Sequence, residues 1–243
     1  MENQRESIEI LLANRLYLYE MLHVVFSGVP NEDLIHILSG ENTAQAFSLL
    51  SETDDDIMAK MSRFVQKLDG KLAEDPDFME NVKSEYTKLL IGPGRLVADP
   101  WESTYIGKGS EKMLFTESTL RVREFYRKYG YLPQEYPHVA DDHIALELHF
   151  MSKLSERALK AFQEDDLKET RAMLAGQQAF LKFHMLKWIP QYAEDTKKSK
   201  TALMYPQFAQ GVKAFLDVDN DFIAEAMEWI DEQTAESKAA EEN

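Results

Sequence analysis

The chain has 243 residues, of which 44% are hydrophobic and 29% are charged, a length that fits one large domain or two small ones. It contains no cysteine, which excludes disulfides, thiolate zinc sites, iron–sulfur clusters and a cysteine nucleophile. Its net charge of −16 argues against a nucleic-acid partner, because a phosphate backbone requires a basic surface.

The first fifth of the chain is predicted to be helical. Apolar residues recur every three or four positions over residues 5–26, with one interruption at Arg15. Asn31 is a suitable cap for a short helix that should stop at Gly40. A further short helix is expected over residues 43–50.

Two more helices are expected before the first long loop. One should begin after Thr53, where three aspartates favour a helix N-terminus, and should end near Gly70. The next should open at Asp75, with Pro76 in its first turn, and continue to Leu90. A Gly-Pro-Gly sequence at 92–94 then stops it, and an irregular stretch is predicted over 91–115.

The second half of the chain is also predicted to consist of helices and one loop. Thr116 should cap a helix that reaches Gly130, and a second loop is predicted over 131–140. Asp141 or Asp142 should cap the next helix. Further helices are expected over about 166–189, 201–216 and 219–233. Because no alternating strand pattern competes, the prediction is an all-α fold.

The end of the chain is strongly acidic. From Asp217 onward there are ten acidic residues and one lysine, so most of the net charge lies there. Such a tail is more often a solubility device than a binding surface. We therefore divide the chain into a helical body, residues 1–216, and an acidic helix and tail, residues 217–243.

The expected compartment follows from two absences. The first twenty residues mix charges through their apolar positions, unlike a secretory signal. No stretch reaches the run of about 18 apolar residues that a membrane span needs. We expect a cytoplasmic protein without a membrane span.

Catalytic signatures are scarce. A di-iron bundle would need two Glu-x-x-His motifs, and the chain has Glu20-x-x-His23 and a second, Glu135-x-x-His138, interrupted by Pro137 in a loop. The sequence therefore predicts no metal and no cofactor. Asp142, His143 and Glu147 are compatible with a hydrolase centre, although a capped helix start explains them more simply.

Aromatic residues are the other candidates. Tyr86, Trp101 and Tyr105 could anchor a loop to the core or form a recognition surface, and the residues do not decide between these roles. His184 and Trp188, four residues apart, favour a packed core pair.

Four segments of the sequence carry recognisable motifs. They are Tyr86-Thr87-Lys88-Leu89-Leu90-Ile91-Gly92-Pro93, Pro100-Trp101-Glu102-Ser103-Thr104-Tyr105, the helix start Asp142-His143 through Met151, and Phe183-His184 with Trp188-Ile189-Pro190 and Tyr205 through Leu216. In this order they resemble segments of the TorD/DmsD/NarJ family of redox-enzyme maturation chaperones. The similarity spans roughly residues 5–216.

The resemblance implies an all-α, TorD-like protein that forms a single compact domain of about ten helices and is not an enzyme. It would bind the twin-arginine signal peptide and apo form of a molybdopterin oxidoreductase in the cytoplasm, as a monomer or homodimer, until the cofactor has been inserted. An assembly factor of the NarJ type, with a non-exported client, is the alternative. A helical metal- or nucleotide-dependent hydrolase is a less favoured one.

A leader peptide combines cationic and apolar segments, so its site should place carboxylates beside an aromatic groove. The expected binding residues come from the resembling segments and the two loops. They are Tyr86, Leu89, Leu90, Pro100, Trp101, Glu102, Ser103, Tyr105, Glu135, Asp141, Asp142, His143 and Glu147.

Overall fold

The computed structural model describes residues 2–92, 96–106, 116–133, 140–199 and 201–241. Within these ranges the chain forms helices and no strand, so the all-α prediction is confirmed. The helices are α1 Glu2–Ser27, α2 Glu32–Ser39, α3 Glu41–Ser48, α4 Ile57–Val65, α5 Leu68–Glu74, α6 Phe78–Tyr86, α7 Ser103–Ile106, α8 Glu117–Lys128, α9 Ile144–Gln163, α10 Leu167–Phe180, α11 Leu186–Thr196 and α12 Tyr205–Glu241. Two π-helical turns, Thr87–Ile91 and Leu181–Met185, extend α6 and α10.

Local capping signals predict several helix ends correctly. The Asn31 side chain accepts a hydrogen bond from the backbone N–H of Leu34 at 2.9 Å and begins α2. Thr116 caps α8 in the same way, and Gly130 follows α8 with a φ of 71°. This left-handed conformation costs glycine little, which explains why the helix ends there.

Three predicted boundaries were wrong. The helix expected to end at Gly70 is two helices, because α4 ends at Val65 and Gly70 lies inside α5. Asp75 ends α5 rather than opening α6, and its carboxylate accepts from the N–H of Asp77. The two helices expected after residue 200 are one helix, α12, so the boundary drawn at residue 216 falls inside a helix.

The first loop, expected to be irregular over 91–115, contains the short helix α7. Residues 93–95 and 107–115 of that loop, and 134–139 of the second, lie outside the described residues. No helix in the described ranges is long and apolar enough to cross a membrane.

A buried ion pair joins the two ends of the chain inside the core. Arg15 of α1 pairs with Asp219 of α12, and both side chains are almost fully removed from solvent. Tyr19 donates its hydroxyl to the same carboxylate at 2.6 Å, and Gln177 of α10 accepts from Arg15 at 3.1 Å. The single interruption of the apolar stripe of α1 is therefore the position where three helices meet.

A second buried carboxylate fixes the start of α12. Glu85 of α6 accepts hydrogen bonds from the backbone N–H groups of Leu203, Met204 and Tyr205 at 3.0, 2.7 and 2.9 Å. The first N–H groups of a helix have no partner within the helix, and their dipoles favour an anion. Glu85 thus supplies the anion from a segment 118 or more residues away.

We expect Glu85→Gln to lower the free energy of unfolding by about 2 kcal/mol, since an amide presents one oxygen and an unwanted N–H₂ to three donors. Glu80→Gln, at an exposed position of the same helix, is the matched control and should change it by less than about 0.5 kcal/mol. Urea denaturation followed by circular dichroism measures both. Equal stability of the two variants would contradict the role given to Glu85.

Candidate functional site

The segment that carries Trp101 is held against the start of α9 by backbone hydrogen bonds. The N–H of Ile144 donates to Pro100 O at 2.9 Å, and the N–H of Glu102 donates to Asp142 O at 3.0 Å. Between them Trp101 and His143 form an isolated antiparallel bridge, and their rings meet edge to face at 5.4 Å. These contacts bring together two of the four segments that carry the sequence resemblance.

The expected cap of α9 was wrong. His143, rather than Asp141 or Asp142, is the N-cap, and its Nδ1 accepts from the N–H of Ala145 at 3.1 Å. The aspartates are engaged elsewhere: Asp142 accepts from the N–H of Ser103 at 2.7 Å, and Asp141 pairs with Arg123 at 2.6 Å. Each aspartate therefore fixes a neighbouring segment instead of the first turn of α9.

Behind this segment lies a cluster of buried carboxylates. Glu102, Asp142 and Glu147 are each at most 1% exposed. His184 Nδ1 donates to both carboxylate oxygens of Glu102 at 3.0 and 3.1 Å, and Ser118 donates to Glu102 as well. Trp188 Nε1 donates to Glu147 at 3.0 Å. His184 and Trp188, the expected core pair, are buried, and each also donates a hydrogen bond to one of these acids.

Burial raises the pKa of Glu147 well above its usual value, and the nearby carboxylates of Glu102 and Asp142 raise it further. A hydrogen bond between Glu147 and Glu102 also raises this pKa, whereas the bond from Trp188 lowers it. The protonated form of Glu147 is therefore favoured in the folded protein.

This burial corrects the expected arrangement of carboxylates along an open groove. Glu102, Asp141, Asp142 and Glu147 face the interior, where they bond to protein groups, and they are not available to a ligand in this conformation. Leu89, Pro100 and Ser103 are buried too. Tyr105 turns inward, its ring 5.6 Å from that of Trp188. Glu135 lies outside the described residues.

The remaining expected residues do come together, in an open pocket of about 420 Å³. Tyr86, Leu90, Trp101 and His143 line it. The other lining residues were not predicted from the sequence. They come from α1, from the segment that follows α8 and from α9: His23, Phe26, Ser27, Tyr131, Ala145, Leu146 and His149. The pocket is thus built from segments up to 126 residues apart.

Two histidines form one wall of this pocket as a stacked pair. The rings of His23 and His149 lie 4.4 Å apart and nearly parallel. The Nδ1 of His23 bonds to Ala145 O at 2.9 Å, and the Nδ1 of His149 bonds to the Tyr131 hydroxyl at 2.8 Å. Both rings therefore have fixed orientations.

The histidines of the pocket are uncharged at neutral pH. Burial and, to a smaller extent, the neighbouring His23 together lower the pKa of His143 and of His149 to about 4. Burial also lowers the pKa of His23. The described residues that line the pocket include no carboxylate, and they offer aromatic and neutral polar surface.

A second pocket of about 420 Å³ adjoins the first, because Tyr131 and His149 line both. Its far side carries Lys153, Glu156 and Arg157 of α9. Lys153 pairs with Glu156 at 3.0 Å, and Arg157 pairs with Glu169 at 2.9 Å. The two pockets form one concave surface with a neutral end and a charged, internally paired end.

The sequence gives one indication of these unpredicted lining residues, because His23 belongs to a Glu-x-x-His motif. That motif suggests a metal site, but no group of three or more histidine and acidic residues in the described ranges is arranged to hold a metal ion. His23 instead packs on His149, a partner 126 residues away that its local sequence does not indicate.

The chain is similar to known proteins over most of its length. A family model described as nitrate reductase delta subunit matches residues 54–194, more than half of the chain. A chaperone protein TorD of Vibrio cholerae serotype O1 is 23% identical over 221 residues, which cover 90% of this chain and 96% of the relative. A protein of Haemophilus influenzae described as a probable Tat proofreading chaperone, DmsD, is 29% identical over 130 residues, which cover 54% of this chain and 56% of the relative.

One solved structure is also similar. It is described as a redox enzyme maturation protein from Archaeoglobus fulgidus and is 21% identical, with a TM-score of 0.46. The alignment covers 85% of this chain and 93% of that chain.

We expect Glu147→Gln to stabilise the protein at neutral pH by on the order of 1 kcal/mol. Because the folded-state pKa is raised, the wild type is most stable below the unfolded pKa of about 4.5 and loses stability as pH rises toward the folded pKa. Glutamine keeps an oxygen for Trp188 and has no proton to lose.

Urea denaturation at pH 5 and pH 8 tests this, with Glu156→Gln, exposed on the same helix, as the control. The advantage of Glu147→Gln over wild type should be larger at pH 8. A wild type that is more stable than this variant at pH 8 would show that the buried acid is stabilised as an anion.

Proposed function

The chain belongs to the nitrate reductase delta subunit family, and from that premise we propose that it is a cytoplasmic chaperone for a molybdopterin oxidoreductase. It binds the twin-arginine leader of this client, and also the folded or folding body, until the cofactor has been inserted. The relatives named as chaperones support the general role. The leader as ligand follows from the resemblance of the sequence to this family, and the lining of the pocket supports it.

The observation that carries this proposal is the neutral, aromatic pocket beside the Trp101 segment. A leader contains an apolar, helix-prone segment, and apolar helices bind in grooves lined by aromatic and aliphatic side chains. Trp101, Tyr131 and Leu146 offer that surface as partly exposed side chains. Tyr86, Leu90 and Phe26 also line the pocket, with at most 6% of their surface exposed. We therefore assign the apolar part of the leader, rather than its arginines, to this pocket.

The leader's positive charge acts at longer range. The protein carries a net charge of −16, and a field of that sign attracts a cationic peptide during diffusion. Because the site's described carboxylates are buried, the arginines gain little from direct contact with them. Electrostatic attraction should then raise the association rate more than it slows dissociation.

A hydrolytic role for Asp142 and Glu147 has less support. The carboxylate of Asp142 is directed at the N–H of Ser103 and that of Glu147 at Trp188, so neither faces the open pocket. A hydrolytic centre would need these groups to reach a substrate. Binding without turnover is therefore the proposed activity.

The NarJ-type alternative differs in the client. An assembly factor for a non-exported enzyme would bind an N-terminal segment that lacks the arginine pair. A leader peptide and the same peptide with both arginines replaced by glutamine separate the two cases. Equal association rates for both peptides at low salt would favour the non-exported client.

We expect Trp101→Ala to weaken leader binding by about 2 kcal/mol or more, roughly 30-fold, if this side chain anchors the apolar segment. Phe183→Ala removes an exposed aromatic outside both pockets and is the matched control. Calorimetric titration of the leader peptide measures both, and equal affinity losses would contradict the assignment of the pocket.

Salt and the acidic tail provide a second comparison. Raising ionic strength from about 0.1 M to 1 M shortens the Debye length from about 10 Å to 3 Å, so the association rate should fall. The dissociation rate should change little, because apolar contacts persist in salt.

Deleting the residues after 234 should leave the affinity for the leader peptide within about threefold. Loss of binding on that deletion would make the tail the recognition element.

A further inference from the structure

Trp101 and Glu102 are consecutive residues that face opposite sides of one segment. Trp101 lines the open pocket, whereas Glu102 is 1% exposed and lies in the interior. The backbone between them is short and stiff, so the position of one side chain constrains the other. Whatever holds Glu102 therefore also holds the wall of the pocket.

Glu102 is held from two elements that do not touch the pocket. Ser118 reaches it from α8, and His184 reaches both of its oxygens from the π-helical turn after α10. His184 is itself fixed by aromatic packing, with the ring of Phe180 at 4.9 Å and that of Phe125 at 5.1 Å. The imidazole is thus a rigid hydrogen-bond donor aimed at one acid.

The π-helical turn explains how His184 acquires this position. A π turn inserts one residue into a helix and rotates the later turns of that helix by about 100°. His184, in this turn, is hydrogen-bonded to Glu102, and Trp188, in the next helix, is hydrogen-bonded to Glu147. Phe183, the residue before His184, is left exposed on the opposite side.

We infer that His184 is a positioning residue for the client-binding pocket, acting on Trp101 through Glu102. The effect on affinity rests on the proposed leader-binding function. The effect on the position of Trp101 does not, because it follows from contacts within this chain. His184 lines neither described pocket, so a change in binding on its substitution must be transmitted.

The test uses three variants of the full chain. His184→Phe keeps an aromatic ring between Phe125 and Phe180 and removes the hydrogen bond to Glu102. His184→Asn restores a donor near the position of Nδ1 and is the conservative rescue. Phe47→Leu weakens packing at a fully buried position of α3 and controls for a general loss of stability.

The position of Trp101 is read by fluorine NMR of protein labelled with 5-fluorotryptophan. The chain has three tryptophans, and replacing each with phenylalanine assigns the three signals. We expect His184→Phe to shift or broaden the Trp101 signal, to leave that of Trp229 unchanged and to weaken leader binding by about tenfold. His184→Asn should return both readouts toward wild type, and Phe47→Leu should leave the Trp101 signal in place.

Ser118→Ala keeps the test decisive if His184→Phe does not fold. It removes the other donor to Glu102 from a partly exposed position and should move the Trp101 signal in the same way. A Trp101 signal that is unchanged in a folded His184→Phe or Ser118→Ala protein overturns the inference. If the signal moves but wild type binds no leader, the positioning role holds and the proposed function fails.

Discussion

A carboxylate taken out of water needs donors, a cation or a proton, and this requirement determines how the helices of this protein fit together. Asp219 is paired with Arg15 and Tyr19, Glu85 with three backbone N–H groups, and Glu102 with His184 and Ser118. Each pairing joins segments that are far apart in sequence. The hydrophobic core could tolerate small shifts between helices, but these hydrogen bonds could not. They therefore set the register of α1, α6 and α12 and the placement of the Trp101 segment.

The same burial explains the character of the pocket. Four of the acids expected to bind the client, Glu102, Asp141, Asp142 and Glu147, are buried in the interior. The histidines that remain in the wall are uncharged at neutral pH. The described lining of the pocket is consequently uncharged, although the whole protein is strongly acidic. A charged groove would bind arginine side chains with a desolvation cost, whereas a neutral aromatic pocket gains free energy from apolar surface alone. The acids contribute by fixing the pocket wall.

Prediction from the sequence succeeds where the cause of a structure is local. The caps at Asn31 and Thr116 and the end of α8 at Gly130 depend on neighbouring residues, and the structure has them as expected. It fails where the cause is distant. His143 caps α9 because the carboxylate of Asp142 accepts a hydrogen bond from the N–H of Ser103, about 40 residues earlier. Likewise, Arg15 is visible as an interruption of an apolar stripe, but its partner lies 204 residues away. The stacked pair of His23 and His149 has no local signature at all.

The acidic C-terminal region illustrates how one helix can divide its charges between two roles. Asp219 is 2% exposed and belongs to the core, whereas Glu225, Glu228 and Glu232 of the same helix face outward or lie partly exposed. The buried acid determines where α12 lies, and the exposed acids create a field that extends into the solvent. On the proposed function, that field acts before contact and the neutral pocket acts after it. Because the two steps use different residues, the rate of encounter and the lifetime of the complex can change independently through substitutions in different parts of the chain.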